Sequence, residues 1–157
     1  MNKWLLIFLT LLFISCGKER ANQNEIFQLD IPKGFPDPII PEDNQLTYER
    51  IELGKRLFYD PILSKDGTIS CESCHKQEFA FADNVTISAG VEDRLGFRNS
   101  MSLANMAYQD ALMRESGVPT LEMQVLVPIQ DHNEMDFNIL SVAEKLNLDS
   151  TYVNASI

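Results

Sequence analysis

Positive charge is scarce in this 157-residue sequence: 13 Lys and Arg stand against 23 Asp and Glu, for a formal charge of −10. Nucleic-acid phosphates demand a basic footprint, so nucleic acid is excluded as a partner, while a basic partner protein is allowed. Cysteine is scarce as well. Three residues are too few for a disulfide scaffold, so their positions matter more than their number. There is no internal repeat and no low-complexity tract, and strand-like alternation is sparse. What is present is 45% hydrophobic residues with nine Phe among them. That is enough for a core, so wholesale disorder is excluded and the length points to one domain.

One apolar run, Trp4 to Ile14, follows Lys3 and is broken only by Thr10. It is too short and too terminal for a membrane span and reads as an export signal. It ends at Phe13-Ile14-Ser15-Cys16-Gly17, which resembles a bacterial lipoprotein cleavage box. The resemblance implies cleavage after Ser15, acylation of Cys16, and a periplasmic or cell-envelope protein anchored to a membrane by its lipid. Each buried methylene would add about 0.8 kcal/mol of anchoring. The alternatives are an ordinary signal with an incidental Cys, or an uncleaved anchor. Loss of residues 1–15 removes one cation, Lys3, and leaves a mature chain at −11. Cys71 and Cys74 would then lie outside the reducing cytosol.

Residues 16–45 read as tether and arm: the polar stretch Gly17 to Asn24 precedes Pro32, Pro36, Pro38 and Pro41, a density that forbids helix. From residue 46 to 157 the pattern is mainly α with long loops. Ile51, Leu53, Leu57 and Phe58 share a face opposite Glu49, Arg50, Glu52, Lys55 and Arg56, and Pro61 ends that helix. Lys65-Asp66-Gly67 is a turn, and residues 76–100 are a structured loop. Short helices are expected around Ser102 to Ala111, from Thr120 until Pro128, and from Ser141, where Ser141-Val142-Ala143-Glu144 has the form of a capping box.

The chemistry resides in Cys71-Glu72-Ser73-Cys74-His75, a C-x-x-C-H sequence. Two thiols at this spacing can form thioethers to the two vinyl groups of one haem, and the adjacent His then lies under the ring as proximal iron ligand. A redox dithiol would want a βαβ context, which is not visible. A zinc site would want two further ligands, and only His132 is left over. A structural disulfide would leave His75 without a task. On the far side of such a haem, the sixth position stays open or takes His132, Met101, Met106, Met113, Met123 or Met135. An electron carrier closes that position; a peroxide-reducing site keeps it open beside an acid–base group.

The run Leu53-Gly54-Lys55-Arg56-Leu57-Phe58-Tyr59-Asp60-Pro61 leads into the haem motif. After it come Ala80-Phe81-Ala82-Asp83, Ser88-Ala89-Gly90, Gly96-Phe97-Arg98-Asn99-Ser100, Leu103-Ala104-Asn105, Leu121-Glu122-Met123-Gln124 and Pro128-Ile129-Gln130, ahead of Glu134-Met135. This series resembles the N-terminal haem domain of the bacterial di-haem cytochrome c peroxidases and their methylamine-utilisation relatives, from about Ile31 to the end. The resemblance implies a cytochrome c-like haem domain. Cys71 and Cys74 attach the peroxide-binding haem and His75 is its proximal ligand. Glu134 matches the distal carboxylate, Gln124 the glutamine beside it, and Asn99 a ligand of a calcium ion between two haem domains. It also implies a small electron-donor protein, a cytochrome c or similar, with hydrogen peroxide as substrate. The mature charge would suit a basic donor. A carboxylate at Glu134 makes chemical sense, because one such group can take a proton from one peroxide oxygen and return it to the other, with an amide orienting the molecule.

Three departures stand out. Val91 falls where classical members carry a distal His, so the site is either open without reductive activation or closed by another group. His132 is the candidate for that group, its alternative being a surface-loop His between Asp131 and Asn133. Met113-Arg114-Glu115-Ser116-Gly117 replaces the family's Phe-Trp-Asp-Gly-Arg block, so Arg114 stands in place of an aromatic thought to lie between two haems. Family members carry a second C-x-x-C-H in a second domain, so the sequence is expected to be partial, with its second haem in a missing half. The leading expectation is the peroxide-reducing half of a lipid-anchored di-haem peroxidase. A mono-haem electron carrier is the alternative, and a non-haem thiol or zinc protein a third.

Overall fold

A computed structural model describes residues 25–114 and 117–156. The expected signal, the lipidated Cys16 and the tether to Asn24 lie outside the described residues, as do Glu115 and Ser116 of the departing block. No helix among the described residues is long and apolar enough to cross a membrane.

The architecture is helical with long loops, as expected. Among the described residues six α-helices follow in order: α1 Tyr48–Tyr59, α2 Cys71–Cys74, α3 Leu121–Gln124, α4 Leu126–Gln130, α5 Ile139–Leu148 and α6 Ser150–Ala155. Single 3-10 turns stand at Pro61–Leu63, Gln77–Phe79, Val91–Asp93 and Met106–Tyr108. Extended pairing among the described residues is confined to isolated bridges such as Lys76 with Ala82 and Ala89 with Leu95.

Local chemistry sets these elements. Thr47 caps α1 by accepting from the Arg50 amide, and Asp60 closes it. Asp60 then accepts from the Ile62 amide at 2.8 Å and starts the next turn at Pro61, where proline has no amide to lose. The face Ile51, Leu53, Leu57 and Phe58 is half-buried as expected, but Glu49 is drawn in too, and its buried Oε2 has no hydrogen-bond partner. The arm lies on the surface: the Phe27 amide donates to the Leu46 carbonyl at 2.7 Å, and Phe35 meets Tyr108 edge to face.

Three helix expectations are corrected. Pro128 does not stop a helix begun at Thr120; it sits in the first turn of α4, where its missing amide is no loss. Helix α5 starts at Ile139 under an Asn138 cap, not at Ser141, because Ile139, Val142 and Leu146 are the residues that pack inward. Around Ser102 to Ala111 only the turn Met106–Tyr108 is helical.

The core is a cluster of Leu63, Ile129, Met135 and Val142, flanked by Leu57, Ile62, Phe137, Ile139 and Leu146. It joins the start of the chain's helical part to its last helices. Tyr152 of α6 donates its hydroxyl to Asp60 at 2.7 Å across the same seam.

Candidate functional site

A cleft of about 560 Å³ opens between α2, the loop from Ser88 to Met101 and the segment from Gln124 to Met135. Cys71, Cys74, His75, Asn99, Arg114, Gln124 and Glu134 all line it. Residues as far apart as 71 and 134 therefore share one site.

Helix α2 is one turn long. Ser70 and Ser73 frame it, the Ser70 amide donating to Ser73 Oγ at 3.1 Å and the Ser73 amide to the Ser70 carbonyl at 3.2 Å. Residues three apart on such a turn share a face, which brings both thiols to the cleft. Both are free rather than bridged. Burial pushes the Cys71 and Cys74 thiols up, and the Asp83 carboxylate raises Cys74 further. A disulfide-exchange catalyst needs a depressed thiol pKa, and burial here acts in the opposite direction, which does not favour the redox-dithiol reading. Among the described residues no group of three or more His, Cys, Asp and Glu could hold a metal ion, which removes support for zinc.

His75 lies at the end of α2 with Nδ1 at 2.9 Å from the Phe81 carbonyl. A carbonyl only accepts, so Nδ1 carries the proton and the lone pair sits on Nε2, the arrangement of a histidine prepared for a metal. The loop that delivers this carbonyl is unusual. Ala80 and Phe81 are both left-handed, with φ of 54° and 58°. The Phe81 amide donates to the Lys76 carbonyl at 2.9 Å, the Lys76 amide to that of Ala82 at 3.0 Å, and the Lys76 ammonium meets Asp83 at 2.9 Å. The sequence places Phe81 in a recognisable block, but nothing local signals its role.

Two thiols on one face, a neighbouring imidazole with a free Nε2 and a largely apolar cavity within the size range of cofactor pockets fit a covalently held haem.

Glu134 faces this space. Its side chain is open to the cleft and makes no hydrogen bond among the described residues, yet enough protein surrounds it that burial, aided by Asp131, pushes its carboxyl above the usual range. Its backbone is fastened: the Glu134 carbonyl accepts from the Val91 amide at 2.8 Å, and its amide donates to Asp131 at 3.1 Å. Gln124 is half-buried, its amide donating to the Met113 sulfur at 3.7 Å.

The other candidates separate. Val91 contributes nothing to the cleft; it is 0% exposed and turned into the protein. His132 is corrected as a sixth ligand. The turn after Asp131 carries it outward, its side chain is 73% exposed, and it lies against Arg94 Nη1 and 3.3 Å from Asp136. It is not a wall residue. Of the methionines, Met101, Met113 and Met135 line the cleft; Met106 and Met123 do not. The side-chain oxygen of Asn99, offered above to calcium, accepts from Arg114 at 2.7 Å, and its carbonyl receives the same guanidinium at 3.4 Å. The described residues therefore offer no ready calcium site there. Sequence reasoning missed the role of Phe81, whose left-handed backbone brings its carbonyl to His75, and those of Gly90, Arg94 and Asp136, which depend on partners distant in the chain.

Comparison with known proteins gives a consistent result. A family model described as di-haem cytochrome c peroxidase matches residues 48–156. The methylamine utilization protein MauG of Methylophilus methylotrophus is 30% identical over 142 residues, 90% of this chain and 42% of that protein. Cytochrome c551 peroxidase of Pseudomonas aeruginosa is 34% identical over 124 residues, 78% of this chain and 36% of the peroxidase. A crystal structure of a MauG-like protein associated with microbial copper homeostasis superposes with a TM-score of 0.75 at 36% identity, covering 82% of this chain and 39% of that one. The chain spans less than half the length of each of these relatives.

Proposed function

The chain belongs to the di-haem cytochrome c peroxidase family, and from that premise we propose that it binds one c-type haem and forms the peroxide-reducing site of a peroxidase. The observation that carries this reading is the shared cleft: thiols, an oriented imidazole and an unpartnered carboxylate with a raised pKa line the same space.

Cys71 and Cys74 would hold the haem through thioethers and His75 Nε2 would ligate its iron. When bound, the haem supplies the redox iron at which hydrogen peroxide is reduced. Glu134 takes the proton of one peroxide oxygen and returns it to the other, and the Gln124 amide orients the molecule. The apolar wall of Ile69, Val127, Pro128 and Ile129 limits water around these groups. Two electrons and two protons convert one peroxide to two waters; a donor protein, a cytochrome c or similar, supplies the electrons. The sequence has one C-x-x-C-H, so a second haem would belong to a second domain. Export and a lipid on Cys16, implied by the resemblance of Phe13 to Gly17 to a lipoprotein cleavage box, belong to the same proposal. Incorporation of labelled fatty acid into the parent, and none into Cys16→Ala, tests the anchor.

The mono-haem carrier is kept alive by Met101, Met113 and Met135, any of which could close the sixth position from the cleft. Absorption spectroscopy on the haem-loaded chain separates the readings. A high-spin ferric spectrum that shifts with cyanide is expected. A low-spin spectrum with a methionine–iron band, unmoved by cyanide or peroxide, sinks the peroxidase reading. Cys71→Ala with Cys74→Ala is expected to abolish haem staining on a denaturing gel.

A further inference from the structure

Glu134 makes no side-chain hydrogen bond among the described residues, so its carboxylate is aimed by its backbone alone. That backbone belongs to a closed ring of contacts. The Glu134 carbonyl receives the Val91 amide at 2.8 Å. The Val91 carbonyl in turn receives both the backbone amide and Nε of Arg94, each at 3.2 Å. The Arg94 carbonyl accepts from the Gly90 amide at 2.7 Å. The Arg94 guanidinium then reaches back to Glu134's own turn, where Nη2 meets Asp136 Oδ2 at 2.8 Å. Asp136 also receives Lys65 at 2.8 Å, and the Lys65 amide bonds the Met135 carbonyl at 3.0 Å.

The ring spans two loops that would not hold this shape unaided. Glu92, Asp93 and Asp136 all have left-handed backbones, with φ of 58°, 56° and 46°. Such conformations persist where the surroundings over-determine them. The Arg94–Asp136 pair supplies that constraint. Both side chains are about four-fifths shielded, and they join positions 42 apart in sequence.

We propose that Arg94 and Asp136 are positioning residues that aim Glu134 into the cleft, acting through the Val91 amide. This rests on the acid–base role given to Glu134 above. Neither residue lines the cleft, so neither touches the peroxide.

The test uses the haem-loaded full chain mixed with hydrogen peroxide in a stopped-flow instrument, with haem content and ferric spectrum recorded for every variant. Arg94→Ala and Asp136→Asn are each expected to lower the second-order rate constant roughly ten- to a hundredfold with haem content unchanged. Asn tolerates a left-handed backbone, so Asp136→Asn removes the charge rather than the turn. Arg94→Lys, which keeps the ion pair, is expected to recover most of the rate. In a Glu134→Gln background, Arg94→Ala is expected to add less than a further twofold, because the residue it aims is already disabled. Hydrogen exchange on the peptide containing Val91, readable with or without haem, is expected to quicken in both single variants.

Normal rates in Arg94→Ala and Asp136→Asn beside a crippled Glu134→Gln overturn the positioning role and leave Glu134 in place. A fully active Glu134→Gln overturns the reading of Glu134 and this inference with it. Additive losses in the double variant, or unchanged exchange at Val91, overturn the positioning role even where haem binding is disturbed.

Discussion

His75 donates its Nδ1 proton to the carbonyl of Phe81 at 2.9 Å, and that one bond decides which nitrogen is left for a metal. Its geometry is maintained at a distance by Lys76 and Asp83. The Asp83 side chain is 4% exposed; burial works against its charge, but hydrogen bonds from Lys76, Ser88 and the Asn84 amide outweigh this and hold its carboxyl below the usual range. Replacing Asp83 by Asn is expected to cost about 1 kcal/mol of stability. It also loosens the loop and weakens the Nδ1 bond, making the imidazole a poorer donor, so the haem reduction potential should rise. Potentiometric titration of the haem-loaded variant checks this; an unchanged or lower potential contradicts it.

Glu134 must be ionised to act as a base. Burial and Asp131 raise its pKa, so the peroxide rate is expected to climb with pH through a value above that of an ordinary glutamate. Glu134→Gln should cut the rate roughly a hundredfold or more and erase that limb of the profile. The sign for stability is opposite. A carboxyl whose folded pKa is raised contributes stability below its unfolded pKa and loses it as pH rises through the folded value. At neutral pH, Glu134→Gln should therefore melt at or above the parent temperature. Thermal melts at pH 5 and pH 7 provide the check.

Gly90 is pressed against the backbone that carries Glu134. A Cβ there would meet the Asn133 carbonyl, with the Asn133 carbonyl carbon and the Glu134 oxygen each only 2.6 Å away. These are backbone atoms and cannot swing aside. Gly90→Ala is expected to destabilise the fold by about 2–3 kcal/mol, read as a lowered urea midpoint. Its peroxide rate should fall while its thioether-bound haem persists. A stable and active Gly90→Ala would show that the two loops are not packed as described.

Tyr152 fastens α6 to the end of α1. It is 5% exposed, its hydroxyl donates to Asp60 at 2.7 Å, and the Arg56 guanidinium lies 5.2 Å from its ring centre. Burial and then the Asp60 hydrogen bond push its pKa up to about 12. The stabilisation is therefore complete below the ordinary tyrosine value of 10 and is lost between pH 10 and about 12. Tyr152→Phe should cost about 1–2 kcal/mol at neutral pH and flatten the alkaline decline. Denaturant titrations at pH 7 and pH 11 would show the gap between variant and parent closing.

The sequence announces what depends on short spacing. C-x-x-C-H reads as a haem site because two thiols and an imidazole fall within five positions. The helix before Pro61 and the surface arm are legible for the same reason, through periodicity and proline. What resists reading is set by closure over distance. Val91 looks like a distal-site residue in alignment, yet the loop turns it inward, and His132 looks like a spare ligand until Arg94 and Asp136 draw it outward. Pro128 and Ser141 mislead because local signals for stopping and starting helices yield to packing: Ile129, Val142 and Ile139 must reach the core, and the helix ends shift to let them. Left-handed backbone at Ala80 and Phe81 leaves no sequence mark at all, since neither is glycine, asparagine or aspartate.

Ile129 and Met135 belong to two structures at once. They are half of the buried cluster that joins the helices, and they are also wall residues of the cleft. The interior of this domain is therefore continuous with the surface against which the prosthetic group would rest, with no intervening layer. Folding and cofactor loading draw on the same side chains. A mutation that softens the interior reshapes the seat, and a flat apolar ring in the seat extends the interior by its own area.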